Sequence, residues 1–156
     1  MNLIRRARKR ARDRGASESG AALVEFAFIM PLLVLMLFGI VEFSWLLATN
    51  LDVNQGAREG ARITAVNIPD NNVDLTAEIC QRMDLVGANN LTSITWVSDP
   101  APPVAGGGVT VTVSTPVSTL TGLLDSFFSS LLTLESTVEI RIEQPPDWID
   151  GTWFCP

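Results

Sequence analysis

The chain predicts an α+β fold: a long N-terminal helix packed on a small antiparallel sheet with a short helix. Three observations carry this. Phe26 to Val41 reads FAFIMPLLVLMLFGIV without a charge, and Phe43 to Leu47 extends the run after a single Glu42. Ala48 to Val66 then holds few helix breakers, whereas the second half contains short β-rich segments such as VTVTVS and TVEIRIE. A helical period and a period of two therefore follow one another along the chain.

The first element is a basic leader. Arg5, Arg6, Arg8, Lys9, Arg10, Arg12 and Arg14 are seven of the eleven basic residues, opposed there only by Asp13. Four basic and sixteen acidic residues follow, so a segment of net charge +6 is joined to a remainder of −12. Cationic flanks are retained on the cytoplasmic side of a membrane, which predicts an inside N-terminus and an exterior C-terminal domain. A nucleic-acid-binding arm is the rival reading of the charge, and the apolar run immediately behind it disfavours that reading.

A helix from Phe26 to Leu47 reaches about 33 Å, enough to cross a hydrocarbon core of about 30 Å. This predicts one membrane span, in which Pro31 and Gly39 are tolerable because lipid favours the helix. A removable signal peptide needs a short apolar region and a small-x-small exit; Leu46, Leu47, Ala48 and Thr49 supply neither. Two acids interrupt the picture. Glu42 reads as an interfacial residue reaching toward water. Glu25 lies at the inner boundary of the run, where an acid reads as functional by default.

Beyond the span, a helix continuing from Ala21 to Val66 would be roughly 69 Å long. Gly56 and Gly60 form a small-xxx-small face that admits close approach, either by the chain's own domain or by another subunit. Arg58 and Arg62 repel at i,i+4 and Glu59 pairs with Arg62 at i,i+3, marking a solvated or partner-facing surface. Pro69, with Asp70 to Asn72, predicts the stop. Leu75, Ile79, Met83 and Val86 are spaced as the core stripe of a helix over Val73 to Val86.

Strands are expected over Leu91–Val97, Val109–Ser114 and Thr137–Glu143, with Val138, Ile140 and Ile142 on one face. SDPAPPVAGGG between the first two is a loop; it is no phosphate loop, since no Lys-Ser/Thr follows. Pro116 to Thr133, containing GLLDSFFSSLL, reads as a short amphipathic helix or a loop over the sheet. The domain organisation expected is a leader at 1–20, a membrane part at 21–47, a helix extension at 48–68, an exterior α+β domain at 69–145 and a tail at 146–156.

Cys80 and Cys155 are the only cysteines, both on the expected exterior, where a disulfide persists; separate thiols and intermolecular pairing stay open. The chain has no histidine and no tyrosine, which excludes Cys-His catalysis and His-ligated metal centres. Asp147 and Asp150 read as turn residues, since calcium takes six or more oxygens. No enzyme activity, metal, cofactor or small-molecule substrate is expected.

The junction Gly20-Ala-Ala-Leu-Val-Glu25-Phe26 resembles the prepilin processing signature. Combined with Pro31, Gly39, Glu42-Phe43 and Ala57-Arg58-Glu59-Gly60-Ala61-Arg62, residues 14 to 66 resemble the TadE-like pseudopilins of the tight adherence (Tad/Flp) pilus system. The resemblance implies a pilin-like spine and cleavage by a prepilin peptidase between Gly20 and Ala21. It further implies that Glu25, beside Phe26, sets subunit register by pairing with the new amino group of a neighbour's Ala21. The expected partners are that peptidase, other pilins or pseudopilins, the Tad assembly platform and the bacterial cytoplasmic membrane, with no nucleic acid. Because the exterior domain is large, the role implied is that of a minor pseudopilin. The alternative is an uncleaved single-span membrane protein with an exterior binding domain.

Overall fold

The computed structural model describes residues 2–66, 71–116, 119–122 and 133–156, with side chains from Gly20 onward. The elements are α1 (Asn2–Ala65), α2 (Asn72–Gln81), β1 (Ser93–Asp99), β2 (Gly108–Pro116), β3 (Thr133–Arg141) and β4 (Gly151–Phe154). They fall into two units, residues 1–41 and 42–156. The architecture is α+β. The expected stop at Pro69 and the GLLDSFFSSLL stretch lie outside the described residues.

The first unit is helix alone. Every described side chain from Gly20 to Val41 is exposed, among them Phe28, Leu32, Leu35 and Ile40. α1 runs through Gly20 without a break. One interior glycine costs about 1 kcal/mol against alanine, and the strong helix formers Ala21, Ala22 and Leu23 follow it. Cooperative propagation of the backbone ladder absorbs that cost.

In the second unit the last four turns of α1 carry a different face. Val53, Ala57, Ala61 and Thr64 recur every three or four residues and are all buried. Two glycines on this face decide how closely the helix packs. A Cβ on Gly56 would sit 2.3 Å from Met83 Sδ, and one on Gly60 would sit 3.1 Å from Ile79 Cδ1 and 3.5 Å from Val111 Cγ1. The small residues thus admit the chain's own α2 and sheet.

α2 begins at a cap: Asn71 is extended, and its side-chain oxygen accepts from the Asp74 amide at 2.9 Å. Leu75, Ile79, Met83 and Val86 are all buried, although the helix ends at Gln81, five residues earlier than the spacing predicts. Arg82 caps it, and Met83 and Val86 reach the core from the following turns.

The sheet has the order β3-β2-β1-β4 with every pair antiparallel. Alternation in β2 buries Val109, Val111 and Val113 against α1 and α2, together with Ile94 and Trp96 of β1. Trp96 donates from Nε1 to Thr64 Oγ1 at 3.0 Å, satisfying an indole N–H with no exposed surface. On the outer face Thr152, Thr95, Thr112 and Thr137 stand in one row across the four strands. Hydroxyl contacts of 2.8 Å (Thr95 with Thr152) and 3.0 Å (Thr112 with Thr137) tie that row.

Three strand expectations shift. β1 covers Ser93–Asp99, two residues later at each end than expected. β3 starts four residues earlier than expected, and Ile142 is buried just past its end, where its amide donates to Gly107 O. The stretch expected as a plain tail contains β4, paired with Ser93 to Trp96. Four residues are too short to show a period of two against a Trp- and Pro-rich background. The 100–107 loop is held at Gly106, whose φ of +87° suits glycine and whose amide donates to Ile142 O.

Candidate functional site

The junction residues lie on α1. Gly20 has open space where a Cβ would stand, with nothing within 4 Å. Ala21, Glu25 and Phe26 are exposed, Phe26 at 58%. Five residues separate Gly20 from Glu25 on a continuous helix, a rise of about 7.5 Å. Among the described residues, Glu25 has no hydrogen bond or ion pair. The carboxylate therefore faces outward from a surface otherwise built of leucine, valine and phenylalanine.

Glu42 is the correction. The sequence reading has it reaching toward water; the structure leaves it 7% exposed, in contact with the turn at 119–122. Its carboxylate accepts from the Leu120 amide at 3.0 Å, the Thr121 amide at 2.7 Å and the Thr121 hydroxyl. A loop that brings three donors to one carboxylate satisfies it as water would, so the acid withdraws from solvent. No local pattern announces this, because the donors lie almost eighty residues away.

Asp52, between two and three turns further along α1, is held in the same way, and sequence reasoning missed it. Its Oδ1 accepts from the Asp84 amide at 3.0 Å, and its Oδ2 accepts from the Leu85 and Val86 amides at 2.9 and 3.0 Å. Three successive amides form an anion nest just after α2, and a buried carboxylate of α1 fills it. The available signal was position: Asp52 shares the face of Val53, Gly56 and Gly60, where an acid must find partners.

The far end of the unit is closed by covalent and polar ties. Cys80 of α2 and Cys155, just past β4, form a disulfide with Cα atoms 5.8 Å apart. It closes a loop of 75 residues, worth about 4 kcal/mol by chain entropy. Asn72 both donates to Ile149 O and accepts from the Ile149 amide, and Asp150 accepts from the amide and hydroxyl of Ser98. Asp150 is thus a structural acceptor, and among the described residues no group of three metal-ligating side chains occurs.

Charged residues gather on the outer side of α1 and α2. Arg62 grips Glu59 with Nε at 2.9 Å and a terminal nitrogen at 2.6 Å, while Arg82 bridges Glu59 and Glu78. The hydrogen bond from Arg62 holds the Glu59 carboxyl below its ordinary range against the opposing effect of burial, and the charges of Arg62 and Arg82 add to it. Glu59 in turn raises the Arg62 guanidinium.

The model of the TadE-like protein family matches residues 20–62. This segment is TadE-like. The match starts at Gly20, spans Glu25 and Glu42, and ends at Arg62, so it covers the exposed apolar helix and the face carrying Gly56 and Gly60. It implies a Tad pilus-associated protein. No curated protein and no solved structure matches the chain. Within the TadE-like segment α1 is long and apolar enough to cross a membrane, with a mean hydropathy of 2.5 in its most apolar window, and is a candidate span.

Proposed function

We propose that the chain is a minor pseudopilin, cut by a prepilin peptidase between Gly20 and Ala21, that acts structurally in assembling a Tad/Flp-type pilus. One observation carries the reading. The TadE-like match begins at the glycine of the junction and continues into a helix whose every described side chain to Val41 is exposed. Such a surface is stable only in lipid or against other apolar helices. A filament core and a bilayer both supply that, so one helix can serve before and after assembly.

The basic leader holds the N-terminus at the cytoplasmic face, within reach of a membrane peptidase, and leaves the sheet domain outside. Cleavage creates a cationic amino group at Ala21. Glu25 of a neighbouring subunit, having no partner within its own chain among the described residues, is the acid that pairs with it. In an apolar surround an unpaired carboxylate is penalised, so the pair fixes the stagger of adjacent helices.

Intact mass and terminal peptide sequencing, after expression with and without a matching prepilin peptidase, test this. The expected result is a peptidase-dependent start at Ala21. An uncut Met1 start under both conditions rejects the processing and leaves an uncleaved single-span membrane protein with an exterior binding domain. Glu25→Val is expected to leave the chain membrane-inserted while reducing co-purification with other pilins.

A further inference from the structure

After residue 14 the chain carries sixteen acidic residues and only four basic ones. Three of those four, Arg58, Arg62 and Arg82, line a single groove of about 990 Å³ on the 42–156 unit, with Leu51, Asn54 and Asp84. The fourth, Arg141, lies on β3. Glu59 and Asp84 line the same groove, and these opposite charges do not consume all three arginines. Arg62 and Arg82 share Glu59, and Arg82 also holds Glu78, whereas Arg58 makes no ion pair among the described residues. Arg58 and Arg62 are one helical turn apart, so an incoming carboxylate relieves a like-charge repulsion as well as gaining a planar guanidinium partner.

A complementary surface exists on the same chain. Alternation along β3 puts Glu135 and Glu139 on its exposed face, with Arg141 at the end of the same row, and neither acid makes an ion pair among the described residues. Four residues of strand separate them by about 13 Å. β3 is also an edge of the sheet, with no strand paired on the side away from β2 among the described residues.

We infer that the Arg58 groove docks the Glu135/Glu139 face of β3 in a second copy of this chain. Since groove and strand are different patches, the contact is heterologous: each copy offers one groove and one strand, so it builds a ring or an open chain and not a two-fold dimer. It joins exterior domains and does not depend on processing at Gly20, so its failure leaves the pseudopilin reading standing.

Sedimentation of the full chain in a zwitterionic detergent, at 20 and 500 mM NaCl, tests the contact. Arg58→Glu and the pair Glu135→Arg with Glu139→Arg are each expected to weaken self-association roughly tenfold at low salt. Combining all three is expected to restore it to within about threefold, because the charges are exchanged across the same contact. Salt at 500 mM, with a Debye length of about 4 Å, should erase the difference between variants. Near-ultraviolet circular dichroism checks that each variant folds. Self-association that is unchanged by either reversal, or not restored by the combination, overturns the inference. If only Arg58→Glu weakens it, the groove takes a different acidic surface of the second copy and the Glu135/Glu139 contact is overturned.

Discussion

Residues 20–41 and 42–65 belong to one helix, with one backbone pattern, and present opposite surfaces. In the first stretch every side chain is exposed and nearly every one is apolar; in the second, one face is buried by α2 and the sheet while the other carries arginine and glutamate. The carboxylates follow the same division. Glu25 stands exposed without a partner among the described residues, whereas Glu42 and Asp52 are each satisfied by three donors. Helix formation is therefore separable from burial. The backbone ladder forms wherever propensity and length allow, and what a face buries depends on what the rest of the chain brings to it.

The sharpest way to break the comparison is to delete an aromatic side chain from each surface. Trp96→Ala removes a side chain with 0% exposure and strips Thr64 of its indole donor, and should destabilise the 42–156 unit by about 4 kcal/mol. Phe28→Ala removes one that is 80% exposed, and should leave that unit within about 0.5 kcal/mol. Near-ultraviolet circular dichroism of the full chain in detergent, followed through guanidinium unfolding, reads both. Equal losses would mean that the two stretches are not distinct in burial.

A smaller effect is expected at the buried acid. Asp52→Ala leaves three amides without their acceptor and should cost about 3 kcal/mol, whereas Asp52→Asn, keeping one carbonyl oxygen, should lose less. Hydrogen exchange at the Asp84, Leu85 and Val86 amides localises the loss: all three should exchange faster in Asp52→Ala, and unchanged rates would contradict the nest.

The smallest effect lies on the charged outer face. Glu59 ionises more readily in the folded state than its ordinary value of 4.5, chiefly because Arg62 donates to it. A folded pKa below the unfolded one makes the contribution full above about pH 4.5 and lost as pH falls through the folded value. Glu59→Gln should therefore lower the unfolding midpoint slightly near pH 7 and leave it unchanged at pH 2, flattening a small part of the acid-side decline; the effect stays small because the pair is solvent-screened.

Much of this is legible in the order of residues alone. The leader, the apolar run, the junction at Gly20 and the stripe of Leu75, Ile79, Met83 and Val86 are contiguous or periodic signals, and each depends on neighbours within about a dozen residues. Val109 to Ser114 shows its strand by strict alternation for the same reason. β4 escapes because four residues are stabilised by a partner strand more than fifty positions away and by the Cys80 link, neither of which leaves a local trace.

What the sequence determined by itself is the chemistry that acts along the chain: a cationic N-terminal stretch, an apolar run of lipid-compatible length, a glycine five residues before an acid, and alternating β segments. Only the tertiary structure decided which acids are withdrawn from water, that Gly56 and Gly60 receive Met83 and Ile79 of the same chain, and that three scattered arginines share one groove. The physical reason is range. Helix and strand are set by interactions over a few residues, while satisfying a carboxylate or filling the space beside a glycine needs groups from distant segments, and those arrive only when the chain folds.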